Sequence, residues 1–309
     1  MTTDPTGHRH ILNGPNVSAE ITEVGAALRA LRVGEADVVP RYPDDRPTPA
    51  ASGVVLVPWP NRVRDGRWAQ RGETYQLAIS EPALGNASHG LLRFVAYRAV
   101  ETAPHAVTLA ADVFPQTGYP FHLATRVRYA VTPDGLDVTH TIENVGDADA
   151  PVALGTHPYL CLSDTPTSEL RLQLDAEEWF PLDERNLPVS CESVDAAHDL
   201  REPRRVGDLS LDTAYTGILR GADGRIRGIL HAPDGRRVEL WAGTGFDYLQ
   251  VFTTDRYPGQ DLAIAIEPMT APADAFNSGR DLRWLAPGES WQLEWGIALT
   301  AASDTPPGN

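Results

Sequence analysis

The sequence predicts an all-β protein, a large antiparallel β-sandwich. Three observations carry this. Short apolar or alternating runs recur between turn residues, two pairs of them close as hairpins, and helical periodicity is scarce. With 26 Gly and 26 Pro in 309 residues, turns are frequent and helices have little room. In chain order, "LRALRV" (28–33) alternates, and "VVLVP" (54–58) is a short apolar run. "AVTLAADV" (106–113) leads to "HLATRVRYAV" (122–131), which turns through "TPDG" (132–135) into "LDVTHTIENV" (136–145). "RIRGILHA" (225–232) turns through "PDG" (233–235) into "RRVELWA" (236–242) in the same way. Further strands are expected at 170–174, 248–253, 262–266 and 291–299. The stretches 40–50 and 181–208 read as long loops. No boundary divides the chain, so 1–309 reads as one domain with its core at about 15–300. A tail at 301–309, ending "ASDTPPGN", has a disordered composition.

Composition removes several function classes. The 26 basic residues stand against 42 acidic ones, a formal charge of −16, which disfavours nucleic-acid or anionic-membrane partners. All 26 basic residues are arginine, so Schiff-base, pyridoxal-phosphate and phosphate-loop lysine chemistries are excluded. Two cysteines, Cys161 and Cys191, make neither a disulfide framework nor a four-thiolate metal site and read as reduced thiols. No run approaches the ~20 apolar residues of a membrane helix. The polar start "MTTDPTGHRH" has no apolar signal core, so a cytoplasmic protein is expected.

Five stretches could carry chemistry. In "VPWPNRVRDGRW" (57–68), Asn61 and Arg62 follow a Pro-flanked Trp59, and Arg62 is either a solvated turn arginine or a planar fork for ligand hydroxyls. In "GNASHGLLR" (85–93), His89 sits in a sharp loop beside Gly90. In "VALGTHPYL" (152–160), His157 emerges at a strand end before Pro158. "LSLDTAYTG" (209–217) holds Asp212, which binds hydroxyls or caps a turn. In "IAIEPMTAPADAFN" (264–277), Glu267 ends an apolar strand and Pro268 is expected to stop the ladder. A carboxylate there is costly unless it is paired, solvated or used. His8 and His10 fall in a floppy terminus, and His122, His140, His198 and His231 form no ligand spacing. No dinucleotide, phosphate-loop or nucleophile-elbow motif occurs.

Taken together, "PNRVRDGRW", "SHG", "ENVGDADAPVALGTHPYL", "LDTAYTG", "YLQVFT" and "EPMTAPADAFN" resemble the aldose 1-epimerase (mutarotase) family, in that family's order, over roughly residues 15–300. The resemblance implies a many-stranded antiparallel sandwich. It also implies interconversion of the α and β anomers of a free hexose such as galactose or glucose, with no metal or cofactor. By the same resemblance Glu267 is the general base and His157 protonates the ring oxygen. His89 stabilises charge and orients the sugar. Arg62 and Asp212, with Asn61 beside them, bind hydroxyls, and Gln250 lies near the site.

Hemiacetal opening needs one proton removed and one supplied. A histidine near its ordinary pKa of about 6.5 and a partly desolvated glutamate suit those roles. The two side chains are expected on opposite sides of one sugar-sized pocket. Trp59, Tyr159 and Trp284 are candidates to stack on the sugar's C–H face, and the core is the expected place for most of them. Leu91-Leu92-Arg93 stands where galactose mutarotases usually carry a second glycine after the loop His-Gly, which leaves the preferred sugar open. Three alternatives stand beside this reading. One is a hexose-6-phosphate mutarotase using Arg64, Arg67 or Arg93. Another is a non-catalytic sugar-binding sandwich, and the third a lyase or isomerase of acidic sugars. A monomer or homodimer is expected.

Overall fold

The computed structural model describes residues 4–70 and 72–302, so the expected disordered tail lies, from 303 on, outside the described residues. Every strand pairing is antiparallel. A nine-stranded sheet contains both expected hairpins. Leu123–Val131 pairs with Gly135–Asn144, and Ile226–His231 with Arg237–Ala242. The long strand Ser290–Thr300 joins the two hairpins by pairing with both. An eight-stranded sheet holds Asp212–Ile218, Tyr248–Thr254 and Ala263–Met269 in consecutive positions. A four-stranded sheet is formed by Arg9–Asn13, Val17–Thr22, Leu28–Val33 and Ala36–Val39. His10 therefore lies in a paired strand rather than a floppy terminus, because Arg9–Asn13 finds a full ladder with Val17–Thr22.

Alternation explains the layering. In Leu123–Val131 the buried Leu123, Thr125, Val127 and Tyr129 alternate with Arg126 and Arg128 on the solvent face. The two large sheets meet face to face where Gly228, in one, lies against Ile266 and Leu249 of the other. A side chain at 228 would occupy the space these two fill, which is why a strand otherwise rich in large residues carries glycine there.

Ala263–Met269 is buried at every position, and its two faces differ in use. Ile264 and Ile266 join the main core, whereas Ala265, Glu267 and Met269 point the other way. The expected stop at Pro268 does not occur. The ladder runs on to Met269, with Pro268 opposite Leu249. On the other edge Ile266 N–H donates to the Pro158 carbonyl at 3.2 Å and Thr270 N–H to that of Leu154 at 2.9 Å. The ring nitrogen of Pro268 falls between these bonds, where the neighbouring segment bends through Thr156 and His157. Its missing donor is tolerated in that gap.

Candidate active site

Register alone assembles the centre of the site. Glu267 pairs with Gln250, and Gln250 in turn with Ala214. On the opposite edge Tyr159 pairs with Ala265. Carried back two residues, that antiparallel register sets His157 beside Glu267. The side chains meet there, with His157 Nε2 3.2 Å from Glu267 Oε1. The expectation of opposite pocket walls is therefore corrected. The two groups share one wall and contact each other, because adjacent strands carry them on the same face.

The remaining groups come from loops packed over this face. His89 and Asn61 both adopt left-handed backbone, with φ of 63° and 55°. The His89 N–H donates to the Asn61 carbonyl at 2.8 Å, so the two loops hold each other. The next residue, Gly90, also has positive φ, and a Cβ there would lie 2.2 Å from the Val57 carbonyl oxygen. Only glycine fits this approach. The His89 and His157 ring centroids lie 5.7 Å apart, nearly perpendicular at 73°.

Arg62 is fixed by Glu81, its Nε and Nη2 donating to the two carboxylate oxygens at 2.9 and 3.1 Å. Its Nη1 donates to Asn61 Oδ1 at 3.2 Å and stands 3.8 Å from Asp212 Oδ2. Asp212 also accepts from Gln250 Nε2 at 2.6 Å and from Asn186 Nδ2 at 3.2 Å. All seven residues expected at the site, Asn61, Arg62, His89, His157, Asp212, Gln250 and Glu267, line one cavity of about 700 Å³. That volume lies in the ~300–1,000 Å³ range of small-molecule sites.

Burial governs the electrostatics. It pushes His157 down to about 3, with the charges of Arg93 and Arg62 adding to the effect. It pushes His89 well below the ordinary histidine value, assisted by His157 and Arg93. Burial drives the Glu267 carboxyl well above its usual range, and Asp212 raises it further while Arg62 opposes. The His157–Glu267 contact has ion-pair geometry, yet both groups are driven toward their neutral forms. We read the resting contact as a carboxyl O–H donating to a neutral imidazole nitrogen. The expectation of a histidine near 6.5 is corrected accordingly, since at 6% exposure His157 is cut off from the solvation an imidazolium needs. Nδ1 of His157 and of His89 are both buried and find no side-chain partner among the described residues.

The core placement expected for most of the aromatic candidates holds for two of them: Trp59 packs against Phe276 and Tyr159 is fully buried and stacked on His157, while Trp284 is 41% exposed on another sheet. Phe252 and Phe94 are the aromatic residues at the cavity instead. Arg64 is paired with Asp183 at 2.9 Å, and Arg67 projects from an exposed hairpin strand outside the lining. Of the three arginines considered for phosphate, Arg93 alone lines the cavity. Cys161 and Cys191 are free thiols. Among the described residues no helix is long and apolar enough to cross a membrane, and no cluster of three or more His, Cys, Asp or Glu is arranged around a metal position. Glu81 and Asn186 were missed by sequence reasoning. Both sit in loops whose local pattern gives no sign of what they reach.

Comparison with known proteins places the chain in a family. The uncharacterized protein YihR of Escherichia coli strain K12 is 34% identical over 282 residues, covering 90% of this chain and 89% of its own. A galactose mutarotase-like protein of Clostridium acetobutylicum superimposes with a TM-score of 0.82 at 17% identity, covering 94% of each chain. An aldose epimerase homologue of C. elegans does so at 0.81 and 18% identity, over 96% of this chain and 100% of its own. These two structures share the fold. The sequence profile of the family described as aldose 1-epimerase matches residues 9–298, so this chain belongs to the aldose 1-epimerase family.

Proposed function

We propose that the protein interconverts the α and β anomers of a hexose with a free anomeric hydroxyl, by acid–base ring opening and reclosure. The observation that supports this most is the 3.2 Å contact between His157 and Glu267 on the wall of a cavity lined by hydroxyl-binding groups. Between them the two side chains hold one transferable proton. Ring opening needs the form with Glu267 ionised and His157 protonated. Glu267 removes the hydrogen of the anomeric hydroxyl while His157 gives its proton to the ring oxygen. The C1–ring-oxygen bond breaks, and its electron pair goes to the oxygen being protonated.

What remains is an open-chain aldehyde, a protonated Glu267 and a neutral His157, which is the resting form of the pair. After rotation about C1–C2, Glu267 returns a proton to the carbonyl oxygen and His157 takes one from the attacking hydroxyl. The two proton arrangements of the pair thus match the two ends of the reaction, and the direct contact lets them interchange without bulk water. His89, kept neutral by burial, orients the sugar and supports the charge on the moving oxygen. Arg62, Asp212, Gln250 and Asn61 hold ring hydroxyls, with Asp212 as acceptor and Arg62 and Asn61 as donors. The chemistry needs no cofactor, because each positioned proton transfer contributes about 10²–10⁴-fold to a reaction that already runs in water.

Polarimetry tests the reading. Freshly dissolved α-D-glucose, α-D-galactose and α-D-glucose 6-phosphate are followed with and without protein. Acceleration of at least one supports it, and buffer-rate relaxation of all three refutes it.

A further inference from the structure

Resting on the function just proposed, we infer that Tyr257 is a positioning residue for that reaction. It holds His157 against Glu267 from behind, by its hydroxyl through Ser52 and by its ring through Tyr159. Neither Tyr257 nor Ser52 lines the cavity, and the two lie 205 residues apart in the chain. The imidazole serves the reaction only while Nε2 stays near Glu267 Oε1, 3.2 Å away, and within reach of the sugar's ring oxygen. Misplacing such a group by about 1 Å can cost about 100-fold in rate. The backbone of His157 is fixed first. Its N–H donates to the Val54 carbonyl at 3.2 Å, and its own carbonyl accepts from Gly53 N–H at 2.7 Å. Where the segment 52–54 goes, His157 goes with it.

That segment needs an anchor. It leaves a tight turn in which Ala50 and Ala51 are both left-handed, with φ of 45° and 56°. Strained residues of this kind persist only where the surroundings over-determine them. Two bonds tie the turn to itself, from Ser52 N–H to the Pro49 carbonyl at 2.8 Å and from Val54 N–H to that of Ala51 at 3.1 Å. Beyond the turn, Leu28 N–H donates to the Gly53 carbonyl at 3.1 Å and Val55 N–H to that of Gly25 at 2.9 Å. At the strained end the hold is a side chain. Ser52 Oγ lies 3.1 Å from the Tyr257 hydroxyl oxygen, and both residues are buried. The Tyr257 hydroxyl gives its one proton to the Pro40 carbonyl at 3.0 Å, so Ser52 is the donor in the first bond. One phenol oxygen thus closes the loop 40–52 at both ends. That loop supplies Pro47, Thr48, Ala50 and Ala51 to the cavity wall. The ring of Tyr257 backs the imidazole itself. Its centroid lies 4.7 Å from that of Tyr159, which stacks on His157 at 5.3 Å with the planes 20° apart.

Tyr257→Phe keeps the ring and removes the clamp, and Ser52→Ala removes its other half. In the full chain, each should lower kcat per folded molecule about tenfold, and the double variant should lose no more than the worse single one. Affinity for the unreactive analogue 1,5-anhydroglucitol should stay within about twofold, because the hydroxyl-binding groups are untouched. Tyr119→Phe is the control. It also loses a buried hydroxyl bonded to a proline carbonyl, that of Pro151 at 2.7 Å, so it should lower stability in urea without moving kcat. Imidazole NMR reads position independently of turnover, with the His157 signals identified by His157→Asn. They should shift in Tyr257→Phe and Ser52→Ala and stay in Tyr119→Phe, while those of His140, bonded to Trp295 in the core, hold throughout. Unmoved His157 signals or a wild-type kcat in Tyr257→Phe would overturn the inference. So would an affinity loss as large as the kcat loss, or an equal kcat loss in Tyr119→Phe. If wild type accelerates no sugar, the epimerase reading fails by itself, and the imidazole signals still decide the positioning.

Discussion

Replacing Glu81 by Gln tests whether Arg62 is a prearranged hydroxyl donor or a surface arginine that happens to line the cavity. Glu81 holds two guanidinium nitrogens at 2.9 and 3.1 Å, while the next carboxylate, Asp212, waits 3.8 Å from the third. The substitution removes the charge from a bidentate pair. Hydrogen bonds to charged groups are worth about 1.5–3 kcal/mol, and the lower end applies here because both partners keep some contact with solvent. Arg62 is then expected to turn toward Asp212 and occupy the carboxylate that should receive sugar hydroxyls. At 1.36 kcal/mol per factor of ten, the loss in kcat/KM is about tenfold. It should fall mainly on KM, since a hydroxyl clamp holds ground and transition states alike. Steady-state polarimetry over a range of sugar concentrations measures both constants. A KM within twofold of wild type, or a loss confined to kcat, would refute the reasoning.

Other outcomes follow from the same geometry. Burial holds His157 far below 6.5 and Glu267 far above the carboxylate range, so kcat/KM should be flat through pH 6.5. Protonating the pair at low pH removes its base and deprotonating it at high pH removes its acid, which gives a broad bell whose limbs belong to the pair. A pH–rate profile with a limb at 6.5 would show a solvated histidine instead. Gly90→Ala forces a Cβ to within 2.2 Å of the Val57 carbonyl in a positive-φ position. It should cost more than about 1 kcal/mol in urea unfolding and lower activity by shifting His89. An unchanged midpoint would mean the loop yields freely.

The sandwich was legible because hairpins write themselves locally. "TPDG" and "PDG" sit between alternating runs, and both close as read. The misreadings came from non-local pairing. Pro268 is tolerated mid-strand because the neighbouring segment bends opposite it, which no local pattern reveals. His157 and Glu267 were recognised as similar designs, each a titratable residue before proline. Their contact, however, depends on the register of Tyr159 against Ala265, set by strands about a hundred residues apart. The same holds for acidity. The residue types suggested a histidine of ordinary pKa, but burial under the loops at 61 and 89 decides it. Glu81 and Asn186 reach Arg62 and Asp212 across 19 and 26 residues of chain, and their neighbours in sequence carry no trace of that.

The measurement that bears most directly on the central claim is anomer exchange by wild type, Glu267→Gln and His157→Asn, on whichever of the three sugars wild type accelerates most. Sugar binding is measured in parallel with 1,5-anhydroglucitol, which has no anomeric hydroxyl and cannot react. The account predicts that each variant still binds the analogue and loses about 10²–10⁴-fold in exchange rate. The double variant should lose little more than the worse single one, because the two groups pass one proton between them. Exchange at the wild-type rate in Glu267→Gln would contradict the account.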